Sequence, residues 1–339
     1  MGIEDGLNVK LFTDKDASLN LILTKNVGVI GYGNQGRAQA LNLKDSEVNV
    51  RIGLRDNSPS RIKVESDDIS HDSIPEVTAW ADVIIILIPD DQMKETYHLW
   101  IEPNLQQDST LIFSHGYAVH YDLIHPDIQT TVLLCAPSGP GKLLRDRFVA
   151  GSGLPGLIAV HQDPLNLGME LILSYSKAIG ITRIGAILSS FREETETDLF
   201  GEQVVLTGGL PHLIRSAFHT LVDAGYQPVV AWLVCFYEVK MIVDLFSSTG
   251  LDDMKSFISK TAEYGGDTRG KRLISHSMKL EMDKILKEIR GGDFFNEYTK
   301  TFLKKPVSKD ETQVCKTSDS FDQITRHILP LLSKNERKS

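Results

Sequence analysis

The chain has 339 residues, 41% hydrophobic and 24% charged, with a formal net charge of −9. These values describe a soluble globular protein with room for about two domains, and the acidic balance sets nucleic acid and anionic membrane aside as partners. No stretch approaches the ~20 apolar residues of a membrane span. The N-terminus shows no basic segment followed by an apolar run, and Cys135, Cys235 and Cys315 are too far apart for a metal or disulfide framework. A cytoplasmic, reducing setting is the expectation.

Residues 1–26 form a mixed segment leading into the first core strand. Val27, Val29 and Ile30 read as that strand and run into Gly31, Gly33 and Gly36, ahead of an Ala-rich helical stretch, Arg37 to Leu43. The GxGxxG spacing counts because a strand precedes it and a helix follows. Gly31 suits the tight turn, Gly33 the approach of a pyrophosphate and Gly36 the packing of helix on strand. The helix N-terminus then offers N–H groups and positive dipole to the phosphates.

Val48, Val50 and Ile52 alternate as a second strand, ending in the loop 53–61. An acidic residue here takes the ribose 2′-hydroxyl of NAD, whereas arginine accommodates the 2′-phosphate of NADP. Arg55, Ser58, Ser60 and Arg61 favour NADP, and Asp56 is the contrary signal. A solvated polar turn is the bland alternative.

The apolar run within 81–90, then 110–114, 131–135 and 157–160, read as further buried strands. Strands separated by helical or polar stretches predict a doubly wound parallel α/β domain, with ligands beyond the carboxyl ends of the strands. Pro89, His115 and the 136–142 loop should therefore line one crevice. From Ile187 onward no strand alternation is visible, and helical patterns cover 199–208, 211–224, 229–247, 251–264 and 277–291. The expected division is a dinucleotide-binding domain over 1–189 and an all-helical domain over 190–339, with a polar tail from about 304.

Asp198 and Glu202 are four apart and share a helix face. A divalent cation would relieve their repulsion, and oxygen-only ligands suit Mg²⁺; a solvated acidic face explains them equally well. Glu238 sits in an apolar stretch, where a buried carboxylate needs a partner or a metal and an exposed one needs neither.

The segments Gly31–Gly36, Gly139-Pro-Gly141, 158–163, Glu193–Gln203, 224–228 and 261–265 together resemble the short form of the ketol-acid reductoisomerase family, over about residues 11–290. The resemblance implies a Rossmann domain followed by a knotted helical domain, homodimers or higher oligomers, NADPH and Mg²⁺. It brings Tyr32, Asn34, Gln35 and Gly141 into the cofactor set and makes His115 a catalytic candidate. Asp198 matches the residue bridging two Mg²⁺ ions and Glu202 a ligand of the first; Glu238 matches the second of two glutamates, four apart, that come from the partner subunit to hold the second ion, and Ser259 matches the serine that holds the substrate carboxylate.

The departures are equally specific. Val234 stands where the family has a glutamate ligand, Ser138 where it has a lysine, Lys142 for a histidine and Lys260 for an asparagine. Alkyl migration, the family's first step, relies on two metals polarising both oxygens. Fewer anionic ligands weaken the second metal site, so migration suffers more than hydride transfer. One Mg²⁺ on Asp198 and Glu202, or Lys142, would still polarise a carbonyl. Three readings stay open: a diverged NADPH-dependent reductase of a small 2-keto acid, 2-keto-3-hydroxy acid or imine; a genuine ketol-acid reductoisomerase converting 2-acetolactate to 2,3-dihydroxyisovalerate in branched-chain amino acid biosynthesis; and a non-catalytic NADP-binding regulatory protein.

Overall fold

The computed structural model describes residues 9–302 and 320–336 and divides into two compact units, Met1–Thr197 and Asp198–Ser339. The first eight residues, Cys315 and most of the expected tail lie outside the described residues.

The first unit is built on nine strands: β1 (Leu11–Phe12), β2 (Asn26–Ile30), β3 (Asn49–Leu54), β4 (Ser70–Ser73), β5 (Val83–Ile86), β6 (Thr110–Phe113), β7 (Thr131–Pro137), β8 (Gly156–Gln162) and β9 (Ala186–Leu188). They form one sheet in the order β1-β9-β8-β7-β6-β5-β2-β3-β4. Every residue of β5 and β6, and all but Asn26 of β2, is buried; continuous apolar runs of this kind belong to strands covered on both faces. β2 pairs in parallel with both β3 and β5. The chain leaves β2 toward β3 on one side and crosses to β5 on the other, so the topological switch point, where a ligand crevice opens, falls between β2 and β5.

The sheet is mixed rather than wholly parallel, because β8 runs antiparallel to β7 and β1 antiparallel to β9. Burial pattern is the same for either strand direction, so the periodicity does not report it. Neither β4 nor β9 is expected from the sequence pattern. β9 corrects the expectation of no strand after Ile187, and a three-residue strand is too short to show alternation.

Helices α1 (Asn20–Leu23), α2 (Asn34–Asp45), α3 (Arg61–Ser66), α4 (Ile74–Trp80), α5 (Asp90–Thr96), α6 (Tyr117–His120), α7 (Gly141–Val149) and α8 (Gly168–Ala178) surround the sheet. α4 packs on β2 and β3, α8 on β7 and β8, and α2 against α7. A Cβ on Gly141 would overlap the Asn34 carbonyl oxygen, and one on Gly36 the Gly31 carbonyl oxygen. Both obstacles are backbone atoms, which cannot step aside. Gly36→Ala and Gly141→Ala should each therefore lower stability by about 2 kcal/mol or more, read as a fall in the denaturation midpoint at unchanged m-value.

α9 (Phe191–Gly201) carries the chain into the second unit, followed by a π-helical turn at Glu202–Leu206. Then come α10 (Gly209–Asp223), α11 (Pro228–Trp232), a second π-helical turn at Leu233–Tyr237, α12 (Glu238–Thr249), α13 (Lys260–Leu273), α14 (His276–Gly291), α15 (Asp293–Phe302) and α16 (Ser320–Glu336). The helix expected over 251–264 is instead a short 3₁₀ segment, Asp253–Phe257, and the start of α13. Ser259 marks the break: it is the N-cap of α13, accepting the Ala262 N–H at 3.1 Å. α16 corrects part of the expected polar tail. Its Phe321 joins Phe218, Ala231 and Trp232 in the small core of this unit.

Candidate cofactor crevice and metal-binding carboxylates

The glycine turn shows why each glycine stands where it does. Gly31 has φ +97°, and a Cβ there would come within 2.5 Å of the Leu87 carbonyl oxygen. Gly33 differs: a Cβ on it would meet nothing within 4 Å, so its backbone borders open space. Gly33 is also the N-cap of α2 and offers no side-chain acceptor to the helix's first N–H groups. These donors, at Asn34 and Gln35, have the geometry and dipole of an anion site. Gly31, Gly33, Arg55, Ser58 and Ser60 line a cavity of about 190 Å³ at this point. A larger cavity of about 730 Å³ lies past the end of β3 and shares Leu54, Arg55 and Ile74 with it. Exposed Arg55, with the Ser58 and Ser60 hydroxyls, fits a 2′-phosphate in charge and donor type. Asp56 lines the larger cavity.

Two residues of the glycine segment are committed elsewhere. The side-chain amide of Gln35 donates to the Gly139 carbonyl at 2.9 Å. Fully buried Gln39 fixes that orientation by donating to Gln35 Oε1 at 3.1 Å and to Ser114 Oγ at 3.0 Å, while the Tyr175 hydroxyl donates to Gln39 Oε1. The Gln35 side chain thus braces the 138–141 loop, leaving its backbone N–H to the crevice. Gly141 likewise owes its lack of a side chain to the α2–α7 contact.

Tyr32 lines the crevice, yet its ring is buried and its hydroxyl donates to Asp67 at 2.8 Å. The part of Tyr32 left to the crevice is therefore its backbone and ring edge rather than its hydroxyl. Arg37 closes the same carboxylate in a fork, at 2.6 and 2.7 Å. The Arg37 hydrogen bond, with the Tyr32 hydroxyl adding to it, holds the Asp67 carboxyl below the usual carboxylate range. A carboxylate depressed on folding contributes stability above its unfolded value, about 3.9, and loses it as pH falls through the folded value. Asp67→Asn should therefore destabilise the protein at pH 7, with the deficit shrinking as pH falls below about 4, read as melting temperatures that converge toward acid pH.

His115 follows β6. Its Nδ1–H donates to Glu194 at 3.0 Å, and the Gly116 backbone N–H donates to the same carboxylate at 2.7 Å. Glu194 is buried and His115 is partly exposed. The sequence reading missed Glu194; the available signal was its place one helical turn before Asp198. On α9 these two bring carboxylate oxygens within 4.8 Å of one another. Glu202 follows Asp198 by four residues, and both are exposed. Both are hard oxygen donors of the kind Mg²⁺ takes, with Asp198 on α9 and Glu202 at the start of the π-helical turn that follows it.

The other candidates are not gathered in the same way. Lys142 is exposed, and its ammonium pairs with Asp146 of its own helix at 2.5 Å, so this conformation does not place its charge at His115. Glu238 is exposed at the first turn of α12, and Val234, in the π-helical turn before it, is 46% exposed. The Ser259 hydroxyl oxygen is engaged by its own helix, while its proton remains available for donation.

Comparison with known proteins agrees with this architecture. Residues 21–185 match the acetohydroxy acid isomeroreductase NADPH-binding domain, and 191–326 match the ketol-acid reductoisomerase C-terminal domain. The chain is 49% identical over 290 residues to a ketol-acid reductoisomerase (NADP(+)) of Methanopyrus kandleri, a match spanning 86% of this chain and 88% of that protein. An NADH-preferring ketol-acid reductoisomerase from an uncultured archean superposes with TM-score 0.85 at 35% identity, over 97% of this chain and 98% of the other. A semialdehyde dehydrogenase NAD-binding protein from Cupriavidus necator shares the fold at TM-score 0.60 and 17% identity, over 78% of this chain and 98% of that one. The chain belongs to the ketol-acid reductoisomerase family, NADP-dependent oxidoreductases that work with Mg²⁺.

Proposed function

We propose that this protein is an NADPH-dependent reductase of a small 2-keto acid, 2-keto-3-hydroxy acid or imine, in which the isomerisation step is weakened or lost. The observation that carries this reading is Val234. It places an exposed apolar side chain one turn before Glu238, so the helix offers one carboxylate where paired dications need two. Ser138 adds to it, since a neutral hydroxyl replaces a cation and proton donor.

NADPH supplies the hydride and Mg²⁺ polarises the carbonyl oxygen when they are bound. The chain's own groups do the rest. The α2 N-terminus and Gly33 seat the pyrophosphate, and Arg55, Ser58 and Ser60 hold the 2′-phosphate. Asp198 and Glu202 would hold the metal, and Glu238 would come to the site from a second copy of the chain. Glu194 fixes the His115 tautomer through Nδ1, so proton delivery to the developing alkoxide falls to Nε2. Ser259 donates to the substrate carboxylate.

The second reading, a working ketol-acid reductoisomerase, is favoured by the 49% identity to the Methanopyrus kandleri protein. One assay separates them: purified protein, Mg²⁺ and NADPH, with 2-acetolactate or the preformed 2-keto-3-hydroxy acid, and the product identified by mass. Turnover of the second substrate alone supports the reductase. Rapid 2,3-dihydroxyisovalerate formation from 2-acetolactate overturns it, and turnover of neither, nor of other 2-keto acids and imines, leaves the non-catalytic reading.

The partner in solution is a second copy of this chain. Val229, Val230, Leu233, Val234, Met241 and Ile242 are exposed along the 228–249 helical stretch, and large exposed apolar side chains gathered on one stretch are what a partner surface covers. Light scattering on the eluting protein should report a dimer or larger. A cytoplasmic location is proposed with it; no helix among the described residues is long and apolar enough to cross a membrane, and Cys135 and Cys235 are free thiols.

A further inference from the structure

Two of the three tryptophans are fully engaged. The Arg51 guanidinium covers Trp80, 4.3 Å from its ring centre. Trp232 is buried, stacks on Tyr237, and donates its indole N–H to Thr325 Oγ1 at 2.8 Å. Trp100 has neither kind of partner: among the described residues no ring or guanidinium covers its indole, and no acceptor meets its N–H. It stands half-buried on the wall of the 730 Å³ cavity beyond β3.

The indole is held in place. Trp100 belongs to the π-helical turn Tyr97–Ile101, whose end residues are fully buried, and its carbonyl accepts the Asn104 amide at 3.0 Å. α4 packs against this turn. A π-helical turn is a costly local geometry that recurs at functional sites.

The order of groups along a dinucleotide then decides what the cavity holds. With the pyrophosphate at Gly33 and the 2′-phosphate at Arg55 and Ser58, the base comes next, past the end of β3. The larger cavity lies there and shares Leu54, Arg55 and Ile74 with the glycine crevice. Leu54, Ile74 and Pro75 give it apolar walls, and Asp56 and Glu76 give it acceptors suited to an exocyclic amine. We propose that Trp100 is the stacking platform for the adenine of NADPH, a cofactor-binding residue that sets affinity through the purine and not through the nicotinamide. The proposal rests on the crevice reading above. A flat indole face is the surface on which a base stacks most strongly.

The test uses the full-length protein, Trp100→Phe and Trp100→Ala, with NADPH, adenosine 2′,5′-bisphosphate and reduced nicotinamide mononucleotide as probes. Adenosine 2′,5′-bisphosphate should quench the tryptophan emission of the wild type, and Trp100→Phe should abolish that quench while keeping affinity within about threefold. Trp100→Ala should raise the Kd of NADPH and of the bisphosphate by the same factor, about tenfold, and leave mononucleotide binding unchanged. Melting temperatures should stay near the wild type, because the indole is only half-buried. Unchanged affinity in Trp100→Ala, or a quench that survives in Trp100→Phe, overturns the role of Trp100 while NADPH binding stands. Failure of the wild type to bind NADPH at all overturns the crevice reading and the proposal with it.

Discussion

Glu194→Ala should lose turnover by about 10²-fold or more and lower the melting temperature by ~5–10 °C. The carboxylate is buried and serves two donors, His115 Nδ1 at 3.0 Å and the Gly116 N–H at 2.7 Å. Truncation leaves a buried N–H without an acceptor and an imidazole without its anchor, at a cost of about 1–3 kcal/mol for each orphaned group. The packing is also tight: a Cβ on Gly116 would come within 3.0 Å of Glu194 Oε2, so a smaller side chain leaves a polar void. Glu194→Gln separates structure from chemistry. Its amide oxygen still accepts from Gly116, so most of the stability should return. Its lack of charge removes the support for a protonated His115, so turnover should stay low. Stopped-flow reduction with saturating NADPH, beside thermal melts, reads both quantities. A Glu194→Gln variant that turns over like the wild type would show that the pair takes no part in proton delivery.

The double variant Ser138→Lys/Val234→Glu should raise the rate of 2,3-dihydroxyisovalerate formation from 2-acetolactate by about tenfold or more. Reduction of the preformed 2-keto-3-hydroxy acid should change by less than about threefold. The argument is one of charge. Alkyl migration moves electron density between two oxygens, and each needs its own electrophile. A second carboxylate one turn before Glu238 adds an oxygen ligand of the type Mg²⁺ requires, and a lysine at 138 restores a proton donor. Each single substitution should give less than its share of the double, because neither group works without the other. The apparent Mg²⁺ requirement should fall to lower concentration in the same variant. A wild type that converts 2-acetolactate as fast as the variant would place the lost function elsewhere or nowhere.

Much of the first unit was legible in the linear pattern. β2, β5, β6 and β7 are runs of apolar residues whose covered faces follow from composition alone. The glycines at 31, 33 and 36 announced a turn and a helix start, and the space around each agrees with its expected duty. The second unit was less legible. α10, α12 and α14 fall on expected helical stretches, whereas α15 and α16 do not, and the break at Ser259 is invisible in the pattern because Ser259 caps a helix only once the chain has turned there. The two π-helical turns, at 202–206 and 233–237, leave no mark on a 3.6-residue period.

The local course of the backbone was thus written in the residues themselves: where it must turn tightly and where a helix begins. Those are short-range properties, set by sterics and hydrogen bonding within a few residues. Tertiary structure alone decided the partners. It took the Tyr32 hydroxyl to Asp67, the Gln35 amide to Gly139 and the His115 ring to Glu194, across 35, 104 and 79 residues of sequence. Which buried polar group finds which acceptor depends on the packing of the whole unit, and no spacing in the sequence encodes it.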